Sequence, residues 1–274
     1  MAKKYTLDEL LIITAAREIH DGENIILGVG LPTTAGAMAK ALHAPHATLM
    51  MESGIIDFEP LVPPNHIADA NSCRGFSYAT DLFSSFTMTY RGYVDVCFLG
   101  VAQIDRFGNV NTTVIGDYYH PKMRMPGSGG APDFLSYAKR TILTMRGGEF
   151  VNTLDYFTSP GYLEGGSSRD ATGLFPPGSG PVMLLTTKGI FRFHDETKEL
   201  YLSRVHPGVS VEDIRKDVPW DLKVARDLAE TDRPTDAEID FIRRFAPTEA
   251  VGRKLMYELG LTNAFRKAQA RGKM

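Results

Sequence analysis

Cysteine is nearly absent: Cys73 and Cys97 are the only two in 274 residues, and they lack C-x-x-C spacing. Two such thiols make neither a disulfide framework nor a thiolate metal site, so a reducing compartment, the cytoplasm, is the expected setting. Long hydrophobic runs are missing too. No stretch of about 18 apolar residues is present to span a membrane, and Met1–Thr6 leads into a polar amphipathic pattern rather than a long apolar signal region. Charge of one sign is scarce. The formal net charge is −3, and no Lys/Arg cluster appears before the short tail from Arg266 to Lys273, so nucleic acid is not an expected partner. Several catalytic signatures fail as well. Gly28-Val29-Gly30 starts like a dinucleotide fingerprint, but Thr33 stands where the third glycine belongs. No P-loop, H-E-x-x-H or G-x-S-x-G motif occurs. His43 and His46 are split by Pro45, and His206-Pro207-Gly208 reads as a turn, so no metal site is expected.

What remains is ordinary globular material, 43% hydrophobic and long enough for one large α/β domain. Thr6 and Glu9 form a capping box ahead of an apolar stripe, predicting a helix over residues 7–20. Asn24–Leu27 reads as a strand running into Gly28-Val29-Gly30-Leu31-Pro32, after which Thr33 or Thr34 is the expected cap of a helix to about Leu42. Further strands are predicted at 47–51, 94–99, Arg140–Met145 and 181–185, then a hairpin of Gly189–Phe193 with 200–202. This pattern predicts a single open, mostly parallel sheet flanked by helices over residues 1–220. Residues 221–274 read as a helical C-terminal extension packed on the same domain. The stretch 109–180 is dense in glycine, proline and tyrosine, and loops of that length in a compact domain usually serve a site or a partner.

One carboxylate stands out. Glu52 follows the apolar run Leu49-Met50-Met51 and precedes the small-residue turn Ser53-Gly54. An apolar strand of this kind suits the interior of a parallel sheet, and ligands collect beyond the carboxyl ends of such strands. A glutamate is ionised at neutral pH without a general base. Hydration keeps it a poor nucleophile, so it needs a dry pocket and an activated acyl group. Glycine turns at Gly30 and Gly100 are placed to present backbone N–H groups to an oxyanion beside it.

Gly28-Val29-Gly30-Leu31-Pro32, Glu52-Ser53-Gly54, the run from Leu99 to Asn111 (LGVAQIDRFGNVN) and Pro126-Gly127-Ser128-Gly129-Gly130-Ala131 occur in that order. Together they resemble the β subunits of family I coenzyme A transferases, most of all the glutaconate type, over about residues 6–220. The resemblance implies the coenzyme A transferase fold, CoA thioesters as substrates with no permanently bound cofactor, and an α subunit completing the site. It implies that Glu52 carries acyl and CoA groups in turn, as an anhydride and then a glutamyl-CoA thioester. It also implies that the backbones of Val29, Gly30 and Gly100 face the reacting carbonyl. Gly28, Ser53, Gly54, Gln103, Gly127, Gly129 and Gly130 would then line the CoA arm. Relatives that hydrolyse or decarboxylate CoA esters typically lack this glutamate, so its presence favours transfer. A non-catalytic pocket-forming subunit is the reading from another class. The implied acid is small and dicarboxylic, with Arg74, Tyr78, Arg106 and Tyr118 as candidates for its distal carboxylate.

Overall fold

The computed structural model describes residues 3–246. The chain opens with helix α1 (Leu7–Arg17), strand β1 (Asn24–Leu27), α2 (Leu31–Leu42) and β2 (Thr48–Met51), followed by the short strands β3 (Ile55–Ile56) and β4 (Tyr78–Ala79). Next come α3 (Leu82–Tyr90), β5 (Val96–Gly100), β6 (Gln103–Ile104), β7 (Val110–Asn111), β8 (Val114–Gly116) and β9 (Pro121–Arg124). Then follow α4 (Ala131–Tyr137), β10 (Arg140–Met145), β11 (Glu149–Phe150), α5 (Ser168–Ala171), β12 (Pro181–Thr186), β13 (Gly189–Phe193) and β14 (Leu200–Val205). The described chain closes with α6 (Val211–Arg215), β15 (Lys223–Glu230) and α7 (Asp236–Phe245).

Ten strands form one sheet in the order β15-β14-β13-β12-β10-β5-β1-β2-β3-β4. Its centre, β2-β1-β5-β10-β12, is parallel, and antiparallel strands extend both sides. The five central strands are buried on both faces, which is why their sequences read as continuous apolar runs. Side chains alternate between two cores. Ile25, Leu27, Leu49, Met51 and Phe98 face α1, α2 and α7, whereas Ile26, Met50, Cys97, Leu99 and Leu143 face the side that holds α4.

The predicted capping box is present: the Glu9 N–H donates to Thr6 Oγ1 (3.2 Å) and the Thr6 N–H to Glu9 Oε2 (2.7 Å). The helix ends at Arg17, three residues before the predicted end. At α2 the expectation is corrected. Gly30, not Thr33 or Thr34, is the N-cap, and both threonines are buried within the first turns. After residue 220 the sequence pattern misleads again. Lys223–Glu230 is an edge strand rather than a helix, pairing parallel to β14, while α7 does lie within the predicted helical stretch. An exposed edge strand shows little apolar alternation, and its mixed charged pattern resembles a solvated helix. The predicted extension beyond Ala246 lies outside the described residues.

The long stretch 109–180 is tied down from within. The Asp105 carboxylate accepts from the N–H groups of Phe107 and Asn109 and from Asn109 Nδ2 (2.7 Å), while Asn109 Oδ1 accepts from Gly161 and Leu163. Buried Arg169 donates to the carbonyls of Gly161, Leu135 and Ser136 and stacks on Phe175, its guanidinium carbon 4.0 Å from the ring centre. Asp105 and Asn109 therefore hold the loops around them together.

No described helix is long and apolar enough to cross a membrane. Of the two thiols, Cys73 is exposed, whereas burial pushes Cys97 up to about 12. Titration of the folded protein with a thiol-specific disulfide reagent at pH 8 is expected to modify Cys73 alone, with Cys97 reacting only after denaturant is added. Two fast-reacting thiols would contradict the placement of Cys97.

Candidate functional site

The carboxyl ends of β2, β1, β5 and β10 open into one cavity of about 570 Å³. Its lining includes Gly28, Glu52, Gly100, Thr112, the loop from Met125 to Gly130, Thr144 and Arg146. This is the crevice at the switch point of a doubly wound sheet, where strands on either side of β1 diverge. Glu52 sits one residue beyond β2 because that strand must end where its neighbours end.

The turn that aims Glu52 is held on three sides. The Gly54 N–H donates to the Met51 carbonyl (2.9 Å), the Thr80 N–H to the Gly54 carbonyl (2.8 Å), and the Ser85 hydroxyl to the Glu52 carbonyl (2.6 Å). Only the Glu52 backbone is thereby engaged. Its carboxyl group is partly buried, and that desolvation raises its pKa above the ordinary glutamate value. A carboxylate less solvated than in water is a stronger nucleophile.

Beside it, Gly30 takes a left-handed φ of +92° at the start of α2. No side chain caps the first turn there. The Thr33 hydroxyl instead donates back to the Gly28 carbonyl (2.6 Å) and the Thr34 hydroxyl to that of Gly30 (3.2 Å). These bonds fix the shape of the glycine turn. Across the cavity, the Thr112 hydroxyl donates to the Gly127 carbonyl (3.0 Å) and the Gly127 N–H to the Thr112 carbonyl (3.2 Å). The far wall is thus a fixed loop.

Of the predicted residues, Gly28, Glu52, Gly100, Gly127, Gly129 and Gly130 line this cavity together. Val29, Gly30, Ser53 and Gly54 flank it in sequence without lining it. The Ser53 hydroxyl is buried without a hydrogen-bond partner. Gln103 does not line this cavity. Its Nε2 donates to Glu149 and Asp155 and its Oε1 accepts from Asn111 and the Asp155 N–H, which leaves a buried amide no capacity for a ligand. Arg74, Tyr78, Arg106 and Tyr118 lie elsewhere: Arg74 bonds the Glu59 carbonyl, Arg106 pairs with Glu199 at 3.6 Å, and Tyr118 stacks on Tyr156.

Sequence reasoning missed Arg146 and Gly147, which follow β10 as Glu52 follows β2. The rule that selected Glu52, the first residues past a buried parallel strand, would have found them. Among the described residues lining the cavity, Glu52 is the only carboxylate and Arg146 the only cation, with no histidine, cysteine, lysine or tyrosine. The histidines serve elsewhere: His46 pairs with Asp21 at 2.8 Å, and buried His206 bonds Thr231 and the Thr186 carbonyl. No cluster of three or more metal-ligating side chains occurs among the described residues.

Residues 9–217 match the family model described as coenzyme A transferase. The chain is 37% identical to a 3-oxoadipate CoA-transferase subunit of Pseudomonas knackmussii, over 87% of this chain and 92% of that one. It is also 37% identical to a glutaconate CoA-transferase subunit of Acidaminococcus fermentans, over 87% and 91%. The crystal structure of glutaconate coenzyme A-transferase from Acidaminococcus fermentans superposes with a TM-score of 0.83 at 34% identity, covering 90% of this chain and 97% of that chain.

Proposed function

This chain belongs to the coenzyme A transferase family, and from that membership we propose that it is the β-type subunit of a heteromeric enzyme working through a glutamyl-CoA thioester on Glu52. The observation that carries the reading is the chemistry of the cavity: one partly buried carboxylate with no proton-transfer group beside it. Acid–base catalysis needs a donor or acceptor matched to the reaction, whereas exchange between a thioester and a carboxylate requires no net proton movement.

In the proposed cycle a Glu52 carboxylate oxygen attacks the thioester carbonyl, the C–S bond breaks, and CoA leaves as thiolate. The product is a mixed anhydride. The thiolate then attacks the Glu52 carbonyl carbon, releasing the donor acid as carboxylate and leaving a glutamyl thioester. The acceptor carboxylate attacks that thioester, expelling thiolate to form a second anhydride. The thiolate attacks the acceptor's carbonyl, giving the new acyl-CoA and restoring the Glu52 carboxylate. Backbone N–H groups of the Gly28–Gly30 and Gly100 turns are proposed to stabilise the tetrahedral oxyanions, about 3 kcal/mol per donor in comparable sites. The Gly127–Gly130 loop is proposed to hold the CoA arm, whose binding energy offsets desolvation at the reacting centre.

An α-type chain is the proposed partner. An anhydride must be kept from water, and this chain alone leaves Glu52 only partly covered. Large apolar side chains such as Phe83 (81% exposed) suit a surface covered by another protein chain. The acid is proposed to be a small dicarboxylate, as the names of the relatives suggest.

The test is to co-express the chain with its α-type partner, incubate the complex with an acyl-CoA panel, and treat it with hydroxylamine or borohydride before peptide mass spectrometry. The expected result is a modified Glu52 peptide that depends on acyl-CoA. An unmodified Glu52 alongside CoA-ester turnover would overturn the covalent cycle in favour of hydrolysis or decarboxylation.

A further inference from the structure

We infer that Arg146 binds the distal carboxylate of a bifunctional acid whose other carboxyl group reacts at Glu52, and so selects dicarboxylic over monocarboxylic substrates. The inference rests on the transfer reading above and goes on to name the residue that sets its specificity.

Arg146 and Glu52 line the same cavity. They follow β10 and β2, with β1 and β5 between. Three inter-strand steps, and a register that sets Arg146 three residues beyond the level of Glu52, separate their backbones by about 17 Å. The two intervening strands run into Gly28 and end at Gly100, where even an added Cβ would meet nothing within 4 Å. The floor between the two charged residues is therefore open. Two long side chains bordering one cavity across that span leave room for a short acid with a carboxyl group at each end.

The arginine is also weakly committed. Among the described residues its ion-pair partner is Asp8, at 3.7 Å, and its side chain is 46% exposed. A guanidinium held that loosely retains donors for a bidentate carboxylate contact. Other nearby cations are occupied. Arg146 and Gly147 also border a second cavity of about 290 Å³, whose Lys188 pairs with Asp217 at 2.6 Å and donates to the Asp213 carbonyl. Charge reinforces the assignment, because a dianionic acid approaching ionised Glu52 is repelled and a cation at the far end of the cavity offsets that repulsion.

A CoA phosphate would exploit the same guanidinium chemistry, so the experiment separates the two anions. In the co-expressed complex, kcat/KM is measured for glutarate and for butyrate as acceptors in the wild type, Arg146→Gln and Arg146→Lys. The glutamine variant is expected to lose about 10- to 100-fold more activity with glutarate than with butyrate, and lysine to recover part of the difference. Calorimetry of glutarate binding without acyl-CoA should show the same dependence on Arg146. Equal losses with both acids, or an effect confined to the KM of the acyl-CoA, would overturn the inference. Glutarate binding no tighter in the wild type than in Arg146→Gln would do so too. Labelling of Glu52 in the wild type reports the covalent reading separately, so that either idea can fail without the other.

Discussion

Replacing Glu52 by glutamine is expected to lower transfer by on the order of 10⁴-fold or more while leaving the fold as stable as before or slightly more so. The loss follows from removing a nucleophile that no neighbouring group can replace, since the cavity holds no other carboxylate among the described residues. Glu52→Asp keeps the charge but withdraws it by one methylene, and a misplacement of that size costs about 10²-fold. The stability effect has a sign that can be checked. Burial raises the Glu52 pKa above its ordinary value of 4.5. A carboxyl group raised in this way contributes stability that is fully present below the unfolded value and lost as pH rises through the folded one. At pH 7 the wild type carries an ionised, partly desolvated carboxylate that the glutamine variant lacks. Its Tm should therefore match or exceed that of the wild type by up to about 3 °C at pH 7, and the advantage should vanish at pH 4. A glutamine variant clearly less stable at pH 7 would mean that the carboxylate is held by a stabilising partner and is not free to attack.

Gly54→Ala is expected to damage stability and activity together. Gly54 has φ +96°, and a Cβ there would lie 2.5 Å from the Thr80 carbonyl oxygen and 2.8 Å from the Asp81 nitrogen. Both neighbours are backbone, so neither rotates away. The left-handed strain and the collision together should cost about 2–4 kcal/mol, lowering Tm by about 5–10 °C. The collision pushes on the turn that aims Glu52, so kcat/KM should fall by about 10²-fold even at temperatures where the variant is folded. Gly22→Ala separates the two causes, because Gly22 has φ +81° with nothing within 4 Å of an added Cβ. It should lose only the strain, about 1 kcal/mol, and keep its activity. Equal destabilisation by the two substitutions would refute the collision with Thr80.

Buried parallel strands are the most legible part of the fold. For Arg140–Met145 and Asn24–Leu27 the bounds read from the pattern and those in the structure coincide, because strands covered on both faces leave apolar runs with sharp polar ends. The cap of the first helix is legible because both of its bonds span three residues. Misreadings arise where local chemistry is ambiguous. Threonines after a glycine turn look like caps, yet Thr33 and Thr34 lie inside α2 with their hydroxyls turned back to the turn. Edge strand β15 carries the charges of a solvated surface, so its sequence resembles a helix face.

Local pattern alone was enough for the open sheet with its central parallel strands, the position of Glu52 just beyond one of them, and the glycine turns that end two others. Each of these is written in contiguous residues: an apolar run, its end, and the small residues that follow. Packing in three dimensions settled the rest: which turns share one cavity, that Gln103 is sealed inside its own hydrogen bonds, and that Arg146 borders the cavity that holds Glu52. Those relations join residues separated in the sequence through strand order, and strand order follows from how the helices pack on both faces of the sheet rather than from any local pattern.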